Sequence, residues 1–193
     1  WDDQSATTNA TLTGVGGGTY HALVSDASGC MYQMAFEITE PDVTTISLTS
    51  TDITCNGGAD GSITVAVSGG TGPFTYNWSD STLFGGSVTG LSAGTYAVTV
   101  NDANGCAAAS DSATIIEPAS MALTFTQNTA NCGLGGSASV TVTGGVAPYG
   151  YLWDDGLAQT TATAADLLSD EYTCTVTDSN GCSVSVTDSV QGT

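Results

Sequence analysis

The chain has 193 residues, no Lys or Arg, and 19 Asp and Glu, for a formal net charge of −19. Binding to nucleic acid or to anionic lipid headgroups rests on Lys and Arg, so both are excluded, and no apolar stretch approaches the ~20 residues needed to insert across a membrane. With 25 Gly, abundant Thr, Ser and Val, and no amphipathic helical period, the composition points to an all-β chain whose carboxylates are hydrated or held by cations.

Self-similarity organises the elements. Trp1, Trp78 and Trp153 lie 77 and 75 residues apart, and Cys30, Cys106 and Cys182 lie 76 and 76 apart. Cys55 and Cys132, and likewise Pro41 and Pro118, are separated by 77. The chain therefore divides into the C-terminal part of one unit, residues 1–41, and two complete units, 42–118 and 119–193, of about 76 residues each. The lack of a starting Met and of a signal-type leader reads as an internal segment of a longer protein.

In the first unit Trp1 belongs to strand C and Gly16-Gly17-Gly18 forms the E–F turn. His21 lies on strand F between the inward Tyr20 and Ala22, so it is expected to face solvent and to be inert. In the second unit residues 43–53 form strand A and Asn56 to Gly61 turn the chain. Residues 62–68 then alternate, with Ile63, Val65 and Val67 on one face of strand B. Gly69 to Gly72 make a loop, and Pro73 precedes strand C at Phe74 to Trp78. Short strands follow to about Leu91. Strand F runs from Thr95 to Val100, and the Asp102 to Gly105 turn leads into strand G, which ends at Ile116.

The third unit repeats this plan through Gly144-Gly145, Pro148, Trp153 and Tyr172. Seven or so short strands, a Trp on strand C and a Tyr near the start of strand F predict an Ig-like β-sandwich. Cys174 follows Tyr172 as in the Tyr-x-Cys of antibody domains. Strand B, Ser137 to Thr143, offers it no partner, so Cys174 is expected to be a buried free thiol aligned with Val98 and Ala22.

The string from Cys55 to Trp78, CNGGADGSITVAVSGGTGPFTYNW, and that from Leu91 to Cys106, LSAGTYAVTVNDANGC, resemble the SprB-type repeat of large surface adhesins of gliding bacteria. That repeat is similar to PKD domains. The third unit departs from it at its CGLGGS start and at DLLSDEY. The resemblance implies an all-β, tandem Ig-like/PKD-like fold, export to the cell surface, and a role in adhesion or filament building.

Six Cys and a single His, without a C-x-x-C pair, favour disulfides over zinc. Pairing Cys55 with Cys106 inside one unit sets a strand of ~17–20 Å against a bond that needs Cα atoms within ~7 Å. In a head-to-tail array the A–B end of one unit abuts the F–G tip of the next. This favours Cys55–Cys182 across the joint, with Cys106, Cys132 and Cys30 finding partners outside the segment. Intra-unit pairing remains the alternative.

Asp26, Asp102 and Asp178 recur in the turn before each Gly-Cys. Asp starts such turns by bonding its own backbone. The competing reading is a Ca²⁺ site at a unit junction, with Asp60 or Glu117 assisting. Asp2-Asp3 and Asp154-Asp155 are paired carboxylates, but adjacent strand residues face opposite sides, which argues against glycosidase chemistry and for a chain that is not an enzyme.

Asn9 and Asn77 begin N-x-S/T sequons that are expected to be unused. Ser81, Ser112 and Ser189 follow Asp in a pattern similar to the short O-glycosylation signal of the bacteria that carry such adhesins, the last two at one repeat position. The expected partners are neighbouring repeats or copies of the chain. Binding of surface polysaccharide is one alternative, with Tyr32, Tyr76 and Tyr151 as the candidate aromatic contacts, and a spacer role attached to a secreted hydrolase is the other.

Overall fold

The structure is a computed structural model that describes residues 1–2, 8–106, 108–130 and 135–192. Every regular element among them is a strand. The first unit contributes β1 (Gly18–Ser25) and β2 (Met31–Ile38), a two-stranded antiparallel hairpin. The second contributes β3 (Thr45–Thr51), β4 (Gly61–Ser68), β5 (Thr75–Trp78), β6 (Ser87–Leu91), β7 (Gly94–Asn101) and β8 (Ala109–Ile115). The third contributes β9 (Ala122–Asn128), β10 (Gly136–Thr143), β11 (Gly150–Trp153), β12 (Thr163–Leu167), β13 (Asp170–Thr177) and β14 (Ser183–Val190).

Each complete unit is a two-sheet sandwich. In the second, sheet β3-β4-β6 faces sheet β5-β7-β8; in the third, β9-β10-β12 faces β11-β13-β14. Six strands form per unit among the described residues, where about seven are predicted. The stretch between β5 and β6 carries turn chemistry instead: Asp80 Oδ1 accepts the N–H of Thr82 at 2.9 Å, and the Leu83 N–H bonds back to the Asp80 carbonyl.

Alternation puts one apolar row per strand between the sheets. Ile63, Val65, Trp78, Val88, Leu91, Val98, Val100 and Ile115 form the core of the second unit, and Ala138, Val140, Trp153, Ala164, Leu167, Cys174, Val176 and Val190 that of the third. The indole N–H of each pillar Trp is satisfied locally: Trp78 donates to the Gly85 carbonyl at 3.0 Å and Trp153 to that of Thr161 at 2.9 Å. The Tyr corners close in all three units, with Tyr20, Tyr96 and Tyr172 hydroxyls donating to the carbonyls of Gly16, Ser92 and Leu168. Cys174 is fully buried with its thiol free, and burial pushes its ionisation up.

The Gly-Gly loops explain themselves at the backbone. Gly69 and Gly144 both have φ of 73°, and a Cβ there would meet the carbonyl oxygens of Val43 and Ser120 at 2.3 and 2.0 Å. The next residues, Gly70 and Gly145, donate their N–H groups to the Asp42 and Ala119 carbonyls, each at 2.8 Å. The loop is thereby seated on the start of strand A. Gly144→Ala adds a left-handed Ala and a backbone collision, and is expected to destabilise the third unit by roughly 2–4 kcal/mol, read as a lowered urea midpoint.

Candidate functional site

The residues singled out in the sequence gather at the two poles of each sandwich. One pole carries the B–C loop, the F–G turn and the start of strand A. The other carries the A–B loop and the end of strand G.

At the first pole the turn Asp acts as a clamp. Asp178 Oδ1 accepts the N–H groups of Asn180 at 2.9 Å and Cys182 at 3.0 Å, while Oδ2 reaches across to the Val146 N–H at 3.0 Å. Asp102 repeats this with Asn104, Cys106 and Thr71 at 3.1, 2.9 and 3.2 Å. Asp26 holds the Ser28 and Cys30 N–H groups at 2.8 and 2.9 Å. Both Asp102 and Asp178 are buried.

At Asp178 burial disfavours the charge, but the N–H bonds from Val146, Cys182 and Asn180 outweigh it and hold the carboxyl below its usual range. At Asp102 the Cys106 N–H is the leading cause of the same depression, again against burial. A depressed folded-state value means that the clamp's contribution is fully present above the unfolded value near 3.8 and is lost as pH falls through the lower folded value. Acid titration of the fold, followed by Trp fluorescence, should therefore show a transition below pH ~4 that Asp178→Asn weakens.

At the opposite pole of the second unit, the A–B loop is tied to the end of strand G. The Asn56 side-chain amide donates to the Pro118 carbonyl at 3.0 Å, and the Gly57 N–H donates to Glu117 Oε2 at 2.6 Å. Asp60 accepts the Thr54 N–H at 3.1 Å. These bonds present Cys55 outward, toward the following unit.

The two poles meet at one joint. Cys55 and Cys182 are disulfide-bonded with Cα atoms 5.7 Å apart at a sequence separation of 127. Beside the bond, the Asn180 side-chain amide donates to the Thr54 carbonyl at 2.9 Å. A cleft of about 410 Å³ lies along the joint, bounded by the connecting residues Pro118 to Met121, Gly145 and the Asp178–Val184 turn. Cys30 and Cys106 occupy the same turn position as Cys182 in their own units and are exposed free thiols. Cys132 lies outside the described residues, as does Asp3.

Other candidate residues fall elsewhere. Among the described residues no group of three or more His, Cys, Asp or Glu is placed to hold a metal ion. His21 is partly exposed and paired: its Nδ1 lies 2.6 Å from Asp2 Oδ2, and its backbone N–H donates to Asp2 Oδ1 at 2.7 Å. The residue after each strand-C Trp does the same work throughout, Ser79 Oγ accepting the Ala97 N–H at 3.1 Å and Asp154 Oδ1 that of Thr173 at 2.8 Å. The paired carboxylates thus include a strand C to strand F brace, a role readable only from strand pairing.

Ser81 and Ser112 are exposed, while Ser189 is half-buried and accepts the Gln191 side-chain amide at 2.6 Å. Ser112 stands opposite Ala97 and Ser189 opposite Glu171. They are therefore two residues out of step in the structural repeat: strand G enters its pairing one residue later after Cys106 than after Cys182, and Ser189 lies one residue further from its Cys than Ser112 does. Tyr76 and Tyr151 pack against the cores, whereas Tyr32 is 67% exposed.

No match was found among curated proteins. Solved structures that resemble the chain include three N-terminal domains of the bacteriophage RB49 highly immunogenic outer capsid protein, at 18% identity and a TM-score of 0.48, covering 78% of this chain and 59% of that one. A Dscam structure aligns at 12% identity and a TM-score of 0.36 over 91% of this chain and 54% of that chain. An I-band fragment from titin aligns at 13% and 0.34 over 92% and 75%. The chain thus spans little more than half the length of the first two. The model of the SprB repeat matches residues 47–83 and 124–158, which run in each complete unit from strand A through the pillar Trp. The match thus falls on one segment in each complete sandwich.

Proposed function

We propose that this chain is a structural and adhesive segment of a long extracellular surface protein or filament, built from sandwiches clipped head to tail, and that it is not an enzyme. The observation that carries the reading is the Cys55–Cys182 bond between the A–B pole of one unit and the F–G pole of the next. A disulfide belongs to an oxidising compartment, which supports an extracellular location. The match to the SprB repeat in both complete units supports a surface role.

In the same reading Cys106 pairs with an A–B loop cysteine of the preceding unit, Cys132 with an F–G cysteine of the following one, and Cys30 with a cysteine of its own upstream neighbour. Glycans at exposed Ser81 and Ser112, and calcium near Asp26, Asp102 and Asp178, belong to this proposal as further stiffening. With a net charge of −19 and no Lys or Arg, divalent cations would relieve self-repulsion.

Electron microscopy of the native material tests the reading. Beaded fibres or stalks with a repeat near one sandwich length support it, and a compact secreted particle overturns it. Non-reducing peptide mapping with an acid-residue protease tests the joint, since a Cys55–Cys106 peptide would remove it. Polysaccharide binding is the second reading, favoured by exposed Tyr32, and a glycan array decides it.

A further inference from the structure

We infer that the joint disulfide gives the array a continuous covalent path for tension that bypasses both sandwich cores; this rests on the surface-stalk reading above. Strand β3 enters the second unit at the B–C/F–G pole and leaves at the A–B pole, where Thr51 is followed closely by Cys55. Across the bond, Cys182 opens directly into β14, which runs the length of the third unit. Pulling on the two ends therefore loads strand β3, the disulfide and strand β14 in series. Both strands are already extended at ~3.4 Å per residue, so they have little length left to give.

Everything inside the ring is off that path. The ring closes over a sequence separation of 127 and holds β4 to β8 and β9 to β13, with both pillar Trp residues and almost every core side chain. Without the bond the tension would run through each sandwich in turn, and the elements resisting it would be few. In the second unit strands A and G are tied by the Ile53 N–H to the Ile116 carbonyl at 3.0 Å and by the Ile116 N–H to Asp52 Oδ1 at 3.0 Å. In the third unit the tie among the described residues is the Ala130 N–H to the Gln191 carbonyl at 2.8 Å, beside an isolated parallel bridge. Net hydrogen bonds of ~1 kcal/mol each are a weak latch, and the covalent bond replaces it.

The test is single-molecule stretching of the full 193-residue chain held at its termini, with the bond state of each preparation fixed beforehand by non-reducing mass mapping. The oxidised chain should stop short of full extension by about 430 Å, the length of chain across the sequence separation of 127 at ~3.4 Å per residue. In tris(2-carboxyethyl)phosphine, or in Cys55→Ser/Cys182→Ser, that length should be released as two separate events of similar size. An oxidised chain whose Trp78 or Trp153 emission shows its core opening at the force that opens the reduced chain overturns the inference, as does a mapped chain without the bond. A compact native particle in micrographs would overturn the surface-stalk reading while leaving the stretching result unchanged, so the two failures are distinguishable.

Discussion

Trp153→Ala is expected to destabilise the third unit by about 3–5 kcal/mol while leaving the second unit folded. The side chain is 1% exposed and meets Phe125 edge-on with ring centroids 5.8 Å apart. Truncation leaves a cavity between the two sheets and strips the Thr161 carbonyl of its indole donor. A sandwich of this size holds about 4–11 kcal/mol in all, so the loss is comparable with the whole. Urea unfolding checks it through a change of probe. Trp78 still reports the second unit, which should stay folded at urea concentrations that unfold the third, while amide protection across β11 and β13 should fall to background. A shift of both midpoints together would mean that the two cores unfold as one body.

Breaking Cys55–Cys182 is the second large effect. Closing a ring over a sequence separation of 127 limits the unfolded ensemble by about 4–5 kcal/mol in the chain-entropy estimate. That stabilisation acts on whichever unit opens, because a native neighbour holds the other end of the ring. Thermal melts of Cys55→Ser/Cys182→Ser should therefore show both units melting at lower temperature and over separate transitions, with the oxidised chain melting higher and over a narrower range. The Asn180–Thr54 hydrogen bond survives the substitution but is exposed, and it is too weak to restore the coupling. Coincident melts of the two proteins would show that the joint adds nothing to stability.

Much of this molecule is legible along the chain because its repeats are short and its turns are chemically demanding. Gly69-Gly70 and Gly144-Gly145 announce a loop, and the structure gives all four a positive φ. Alternating Ile63, Val65 and Val67 announce a half-buried strand, and the spacing of Trp78 and Trp153 sets the core of each sandwich. Periodicity of two residues and of about 76 residues is a one-dimensional signal, so no contact between distant parts is needed to read it.

Strand order alone places Cys55 and Cys182 at opposite poles of their units. That those poles come within 5.7 Å of each other at the Cα atoms is decided by the tertiary structure. Pro118 to Met121 are short enough to hold the units close, Asn56 and Glu117 fix the A–B loop, and Asp178 fixes the turn that carries Cys182. The same is true of the brace from Asp2 to His21 and of the register that sets Ser112 and Ser189 out of step. Those roles depend on which strand lies alongside which. A hydrogen bond between residues 19 positions apart leaves no mark on local spacing. Composition and period determined a string of acidic sandwiches; only the packing of one pole against the next decided that the string is joined.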